Sequence, residues 1–208
     1  MLKVWARRSS SSAQKVYWLL GELQIPHEQI DAGRSFGVVG TPEYLAKNPN
    51  GLVPTIEEED GWALWESHAI IRYLAAKAGS EQFYPSDLRA RAEIDRWIDW
   101  TSSTAIPAIN PIFGRLVMQG GPADPAFVNA QIIASKKVLT IVSDVVAGQA
   151  YLAGDDLTLA DIPFGMILHR WFTLPIERPS LPLVDAYYER LRTRPAYLQH
   201  VVNAPPVV

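Results

Sequence analysis

The hydrophobic pattern of the chain changes near residue 77, and this change restricts the fold to two dissimilar halves. Before it, short runs that alternate between apolar and polar residues, as strands do, are interleaved with runs at helical spacing. After it, strand patterns disappear and apolar residues recur only at helical spacing. We therefore predict an α/β domain over residues 1–77 and an all-α domain over residues 87–208, joined by a linker over residues 78–86.

The order of patterns in the first half predicts a β-α-β-α-β-β-α arrangement. The predicted strands are Leu2 to Ala6, Glu28 to Ile30, Val53 to Ile56 and Ala63 to Trp65. Helices are predicted around Val16 to Leu23, over Pro42 to Lys47 with Thr41 as the cap, and from Ile70 onward. Asp60-Gly61, between the last two strands, is a hairpin turn signal.

The second half predicts a series of helices. The first begins near Ile94 and is expected to break near Pro107 and Pro111. The others are predicted over Phe127 to Val146, Thr158 to Phe172 and Leu183 to Leu191, and the tail over Asn203 to Val208 is expected to be extended.

Composition excludes several classes of function. The net charge is −3 and the basic residues form only short runs, so nucleic acid is not an expected partner. No apolar stretch reaches the length of a membrane span. The chain contains no cysteine, which excludes disulfides and enzyme thiolates, and its four histidines lack metal-ligand spacing. We expect a cytoplasmic protein without a metal.

Two local patterns suit the ends of a small peptide. Val53-Pro54 opens a strand beside a hairpin, where a cis peptide bond would turn the backbone of Val53 toward an added extended peptide. An ordinary edge-strand proline explains the same residues. Glu66 and Ser67 stand at a helix start, where free N–H groups suit a carboxylate and Glu66 suits an ammonium group. A simple helix cap at Ser67 is the alternative.

A cluster of serines, Ser9 to Ser12, lies at the first strand-to-helix turn. Hydroxyl groups there could donate to a thiolate, and the helix N-terminus would favour the anion further. A polar loop with a capping serine is the simpler interpretation. Each of the three patterns is weak alone, and their order along the chain is more informative.

In that order, the residues resemble the glutathione transferase family. The glutathione-site pattern of the family is matched by NPNGLVPTI at residues 48–56 and LWESHAIIRYL at residues 64–74. The run LTLADI at residues 157–162 is similar to the buried capping box of the family, in which Thr158 and Asp161 satisfy each other's backbone amides. The segment from His169 to Pro179 is similar to the bacterial branch. The resemblance covers nearly the whole chain.

The resemblance implies a thioredoxin-like N-terminal domain and an all-helical C-terminal domain. It also implies that Val53, before a cis Pro54, offers its backbone to the cysteinyl part of glutathione, and that Glu66 and Ser67 hold the γ-glutamyl end. The electrophile pocket is expected between the domains. Trp100 and Phe113 are our candidates for its lining, whereas Trp97 is better explained by core packing.

The resemblance points to more than one serine for the catalytic hydroxyl. Related bacterial sequences carry Ser-x-Asn shortly before a lysine, here Lys15, which selects Ser10 with Ser12 in place of the asparagine. Other branches place the serine one residue later, at Ser11. Relatives also hold the glycyl carboxylate with polar side chains near Val39 and Leu52. Neither is polar here, and Arg34 is a substitute.

The implied function is conjugation of glutathione, as co-substrate, to small hydrophobic electrophiles in detoxification. A homodimer is expected by resemblance. A glutathione-dependent peroxidase, isomerase or dehalogenase, a non-catalytic glutathione-binding protein, and an interaction module with a vestigial pocket are the alternatives. Thioltransferase chemistry through an enzyme mixed disulfide is excluded, because the chain has no cysteine.

Overall fold

A computed structural model describes residues 1–206; the last two residues of the predicted extended tail lie outside this range. The chain divides into two compact units, one made of residues 1–80 with 195–206, the other of residues 81–194. The strands are β1 (Leu2–Ala6), β2 (His27–Asp31), β3 (Thr55–Glu57) and β4 (Ala63–Trp65). The helices are α1 (Ser11–Glu22), α2 (Pro42–Leu45), α3 (Ser67–Lys77), α4 (Leu88–Trp100), α5 (Ile106–Phe113), α6 (Pro125–Val146), α7 (Asp161–Thr173), α8 (Pro182–Arg192) and α9 (Pro195–Tyr197).

The first unit is built on a mixed four-stranded sheet in the order β2-β1-β3-β4. β1 pairs in parallel with β2 and antiparallel with β3, which pairs antiparallel with β4. Val4 and Ile56 face each other across β1 and β3 and are fully buried, so the alternation in the sequence reflects one covered face. This sheet with its helices, followed by a helical unit, confirms the predicted α/β thioredoxin-like and all-α fold class.

The turns and caps of the first unit follow the predicted chemistry. The side chain of Thr41 accepts a hydrogen bond from the Tyr44 amide at 3.3 Å and caps α2. Between β3 and β4, Gly61 has a φ of +88°, a value that glycine adopts without steric cost. The amide of Trp62 donates to the Asp60 carboxylate at 3.0 Å, which confirms the predicted hairpin turn.

The terminal helical segment, residues 195–202, packs against α1 inside the first unit. The ring centroids of Trp18 and Tyr197 lie 4.6 Å apart, and both side chains are fully buried. At Gly21 an added Cβ would lie 3.0 Å from the Cβ of Ala196, which is tighter than an ordinary van der Waals contact, so a larger residue would push the two segments apart by a few tenths of an ångström. The sequence patterns predicted neither this helix nor its contact.

The helical conformation that begins with α4 is not interrupted at Pro107 or Pro111. Instead, π-helical turns at Thr101–Ala105 and Gly114–Gln119 flank α5, and Pro111 lies inside it. A proline lacks the amide that the helical ladder needs, and a wider turn is one way to absorb the defect without ending the helix. The expected break near Pro107 and Pro111 was therefore wrong.

Asp161 lies at the start of α7 and is fully buried. Its carboxylate accepts hydrogen bonds from the amides of Leu152 (2.9 Å) and Thr158 (3.0 Å) and from the hydroxyls of Tyr187 (2.7 Å) and Thr158 (3.3 Å). Burial raises the pKa of Asp161 to about 6. The predicted capping box is half confirmed, because the Thr158 hydroxyl accepts from the Ala160 amide and not from Asp161. The helix also starts three residues later than predicted.

Candidate functional site

A cavity of about 90 Å³ lies in the first unit, where the start of α1, the loop before β3 and the start of α3 meet. Five residues singled out in the sequence line it together: Ser12, Val53, Pro54, Glu66 and Ser67. Segments more than fifty residues apart in sequence therefore converge on one pocket.

The loop before β3 is held by a network around Asn48. Its buried side-chain amide donates to the Leu52 carbonyl at 2.8 Å and to the Thr55 hydroxyl at 3.1 Å. The hydroxyl of Tyr44 donates to the same Leu52 carbonyl at 2.6 Å. The Val53-Pro54 peptide bond is cis, as the resemblance implied. Asn48 was quoted only as part of the resemblance, and the role of Asn48 and Tyr44 in fixing this loop was missed.

Glu66 precedes α3 with a φ of +72°, a left-handed conformation that is uncommon for a residue with a side chain. Such conformations cost about 1–3 kcal/mol and concentrate at binding sites. The Glu66 side chain makes no capping hydrogen bond and is exposed, whereas Ser67 is buried as the first helical residue. The predicted helix start is confirmed, but the cap position belongs to Glu66. The first turn of α3 thus brings helix N–H groups and the exposed carboxylate of Glu66 to the cavity.

The serine cluster is divided between two environments. Ser10 is the N-cap of α1; its hydroxyl oxygen accepts from the Ala13 amide at 3.4 Å, and it is 7% exposed. A hydroxyl that accepts in this way keeps its own proton for donation. Ser12 lines the cavity, and Ser11 is the first residue of α1. Ser9 accepts from Nη1 of Arg7 at 2.9 Å.

A buried lysine and a half-buried histidine connect the two helices that supply Ser12 and Ser67. Nζ of Lys15, on α1, lies 3.0 Å from Nε2 of His68, on α3. Burial, together with the charges of Lys15 and Arg72, lowers the pKa of His68 to about 3, so the imidazole is neutral and suited to accept from the ammonium group. Sequence reasoning used Lys15 only to align the serine pattern with that of relatives. It gave no sign of the contact, because no periodicity pairs Lys15 with a histidine 53 residues away.

We expect acid to destabilise the protein through His68. Because the pKa of His68 is near 3 in the folded chain and 6.5 in the unfolded chain, the unfolded chain binds the proton first. The contribution of neutral His68 is complete above pH 6.5 and is lost as the pH falls toward 3. At about pH 4.5 the free energy of unfolding is lower than at pH 7 by up to about 2.7 kcal/mol.

Urea unfolding at pH 7 and 4.5 measures this difference. The free energy of unfolding of His68→Gln should depend less on pH than that of the wild type, and His27→Gln is the control. An unchanged pH dependence would contradict it.

The two candidate pocket aromatics lie in the second unit. Trp100 is half-buried, with its ring centroid 5.2 Å from that of Trp97 and 6.0 Å from that of Phe164. Phe113 is 8% exposed and lies under the Arg170 guanidinium, 4.0 Å from the ring centroid. Trp97 is buried, in line with core packing.

Within residues 1–206, no group of three or more acidic, histidine or cysteine side chains is arranged to hold a metal ion. In the same part of the chain, none of the helices has both the length and the apolar character of a membrane span.

Comparison with known proteins gives a consistent result over the whole chain. The glutathione S-transferase N-terminal domain profile matches residues 9–77, and the C-terminal domain profile matches residues 112–195. Glutathione S-transferase GstB of Escherichia coli is 33% identical over 99% of both chains. Glutathione S-transferase 3 of Zea mays is 30% identical over 98% of this chain and 95% of its own.

Comparison with solved structures gives the same result. A theta class glutathione S-transferase from Xanthomonas axonopodis pv. citri, with glutathione bound, is 40% identical, with a TM-score of 0.89 over 100% of this chain and 99% of its own. These matches span both units and include named enzymes at full coverage. The chain therefore belongs to the glutathione S-transferase family and is an enzyme that uses glutathione as its co-substrate.

Proposed function

We propose that the enzyme conjugates the thiol of glutathione to small hydrophobic electrophiles and stabilises the thiolate with serine hydroxyls. The observation that supports this most directly is the single cavity lined by Ser12, Val53, Glu66 and Ser67. The Xanthomonas relative was solved with glutathione bound, and its similarity extends over the whole chain.

The γ-glutamyl end of glutathione carries a carboxylate and an ammonium group on one carbon. We assign the carboxylate to Ser67 and the free N–H groups of the first turn of α3, where the helix dipole favours an anion. The ammonium group goes to the carboxylate of Glu66, which makes no capping hydrogen bond. The cysteinyl part then lies along Val53, whose backbone pairs with it as an added strand.

The thiolate is assigned to Ser10, with Ser12 as a second contact. Ser10 caps α1 and still has its hydroxyl proton to donate, and the positive end of the helix dipole adds to the effect. A thiol has a pKa near ~8.5, and each unit of lowering corresponds to about 1.36 kcal/mol. Catalysis then combines this stabilisation of the anion with placement of the electrophile beside it.

The finer assignments complete the proposal. Residues 1–77 hold glutathione, residues 78–86 are the linker, and residues 87–208 supply the electrophile pocket, with Trp100 and Phe113 in its wall. We further propose a cytoplasmic homodimer that acts in detoxification.

Calorimetric titration with glutathione tests the binding part of this proposal. Ser67→Ala and Glu66→Gln should each weaken binding roughly tenfold, because each removes one hydrogen bond to a charged group. Ser180→Ala, an exposed serine in the second unit, is the matched control and should bind as the wild type does.

Cysteinylglycine, which lacks the γ-glutamyl group, provides the complementary measurement. The wild type should prefer glutathione to cysteinylglycine, and Ser67→Ala should lose most of that preference. If the wild type binds no glutathione, the proposal fails entirely. Equal loss for both ligands in Ser67→Ala would remove only the assignment of the γ-glutamyl end.

A further inference from the structure

A chemically labile dipeptide lies at the cavity lined by Ser12, Val53 and Ser67, which we call the glutathione cavity. Asn50 is exposed and belongs to the cavity wall, and Gly51 follows it. Asparagine is one of the thermolabile residues. Its side-chain amide is lost most readily before glycine, because no side chain then hinders attack by the next backbone nitrogen.

The backbone of the loop requires glycine after Asn50. Gly51 has a φ of +61°, which residues with a side chain rarely adopt. A Cβ at this position would also lie 3.1 Å from the backbone carbonyl oxygen of Val39. A substitution at Gly51 would remove the lability, but it would strain the loop.

Asn50 in turn orients the asparagine that holds the loop. The backbone amide and the side-chain amide of Asn50 donate to Oδ1 of Asn48, at 3.0 and 3.1 Å. Because Oδ1 of Asn48 accepts these two bonds, its Nδ2 is directed to the Leu52 carbonyl and the Thr55 hydroxyl. Both members of the labile pair therefore have a structural role in the loop.

We propose that Asn50 is a site of spontaneous deamidation and that the reaction weakens the binding of glutathione. The backbone nitrogen of Gly51 loses its proton and attacks Cγ of Asn50. The bond from Cγ to Nδ2 breaks, which releases ammonia and leaves a five-membered succinimide ring. Water then opens the ring at either carbonyl, and the product is aspartate or isoaspartate. In sum, one water is consumed and one ammonia is released.

The native loop restrains this reaction. The amide of Gly51 donates to the Asn48 carbonyl at 3.1 Å, and the Asn50 side chain is bonded to the same residue. Both bonds must break before the attack, so the reaction proceeds from a locally opened loop. Glutathione that binds only the closed loop lowers the population of the open form and should slow the reaction.

Either product changes the glutathione cavity. Aspartate adds a negative charge to a wall that already contains Glu66, beside a ligand whose γ-glutamyl end carries a carboxylate. Ionised aspartate also has no N–H to donate to Oδ1 of Asn48. Isoaspartate carries the chain through the former side chain, which lengthens the backbone ahead of Val53. The loss of glutathione binding rests on the proposed function, whereas the deamidation itself does not.

Mass spectrometry of the aged enzyme tests the reaction. The full chain is incubated at neutral pH with and without saturating glutathione and then digested, and the aspartate and isoaspartate forms of each peptide are separated. Conversion at Asn50 should be severalfold faster than at Asn203, an exposed asparagine outside the helices that precedes alanine. Glutathione should slow the conversion. Equal rates at Asn50 and Asn203 would overturn the inference.

Calorimetric titration with glutathione tests the consequence. Asn50→Asp should bind glutathione roughly tenfold more weakly than the fresh wild type, because a like charge is placed beside the ligand. Asn129→Asp, at an exposed position on α6, is the control for the added charge. On incubation the wild type should lose affinity, whereas Asn50→Gln should lose none, because a glutamine side chain cyclises far more slowly.

Two results separate this inference from the proposed function. If the aged wild type, with Asn50 converted, binds glutathione as tightly as the fresh enzyme, the inference is overturned and the proposed function stands. If the fresh wild type binds no glutathione, the proposed function fails, and the comparison of Asn50 with Asn203 still decides whether Asn50 is a deamidation site.

Discussion

Ser10→Ala should lower kcat/KM for conjugation of a neutral aryl halide by about 100-fold, the scale measured when one preorganised donor to a developing anion is removed. The hydroxyl of Ser10 can donate to the thiolate while it accepts from the Ala13 amide, and the alanine substitution removes this donor. The expected loss lies in kcat, and the pKa of bound glutathione, followed by thiolate absorbance, should rise. Steady-state kinetics and the absorbance titration measure the two effects.

Three further variants separate catalysis from capping. Loss of an N-cap costs about 1 kcal/mol, so Ser10→Ala should unfold slightly earlier, whereas Ser10→Thr keeps both the cap and the donor. Ser12→Ala, at the cavity wall, should lose several-fold less activity, and Ser11→Ala should lose least. Full activity in Ser10→Ala would remove Ser10 from the mechanism. A larger loss in Ser12→Ala or Ser11→Ala would transfer the role to that residue.

Asp161→Ala should reduce the free energy of unfolding by about 4 kcal/mol. The substitution leaves four buried donors without their acceptor, and each unsatisfied donor costs about 1–3 kcal/mol before the structure relaxes. Chemical denaturation followed by tryptophan fluorescence measures the change.

Asp161→Asn keeps one acceptor oxygen and should cost less than the alanine variant. Asp156→Ala, an exposed aspartate five residues earlier, is the control and should change stability by less than about 0.5 kcal/mol. A cost below about 1 kcal/mol in Asp161→Ala would mean that water replaces the carboxylate, and that the hydrogen bonds do not hold the start of α7.

The strands and turns of the first unit were predictable because their signals are local. β1 and β4 match the predicted bounds, since alternation and the Asp60-Gly61 turn fix each of them within a few residues. The cap of α2 at Thr41 has the same local origin. The start of α7 depends instead on hydrogen bonds of Asp161 to residues distant in sequence, and the helix begins three residues later than the local pattern predicted.

The candidate site likewise has features with a local sequence signal and features without one. Glu66 and Ser67 were placed at a helix start from their neighbours alone, but the left-handed φ of Glu66 carries no sequence signal. The Lys15–His68 contact joins residues 53 apart, and the cavity lined by Ser12, Val53 and Ser67 needs three separate segments. Such contacts depend on the tertiary fold, so patterns with periods of two or 3.6 residues cannot reveal them.

The packing of the terminal helical segment on α1 has a consequence for biosynthesis. The ribosome makes the four strands first, but Tyr197, whose ring packs on Trp18 of α1, is made after the whole helical unit. Exposed aromatic surface in an incomplete chain favours association with other chains. The helical unit is thus an insertion within the sheet unit, and the part of the enzyme that is translated first is the part that matures last.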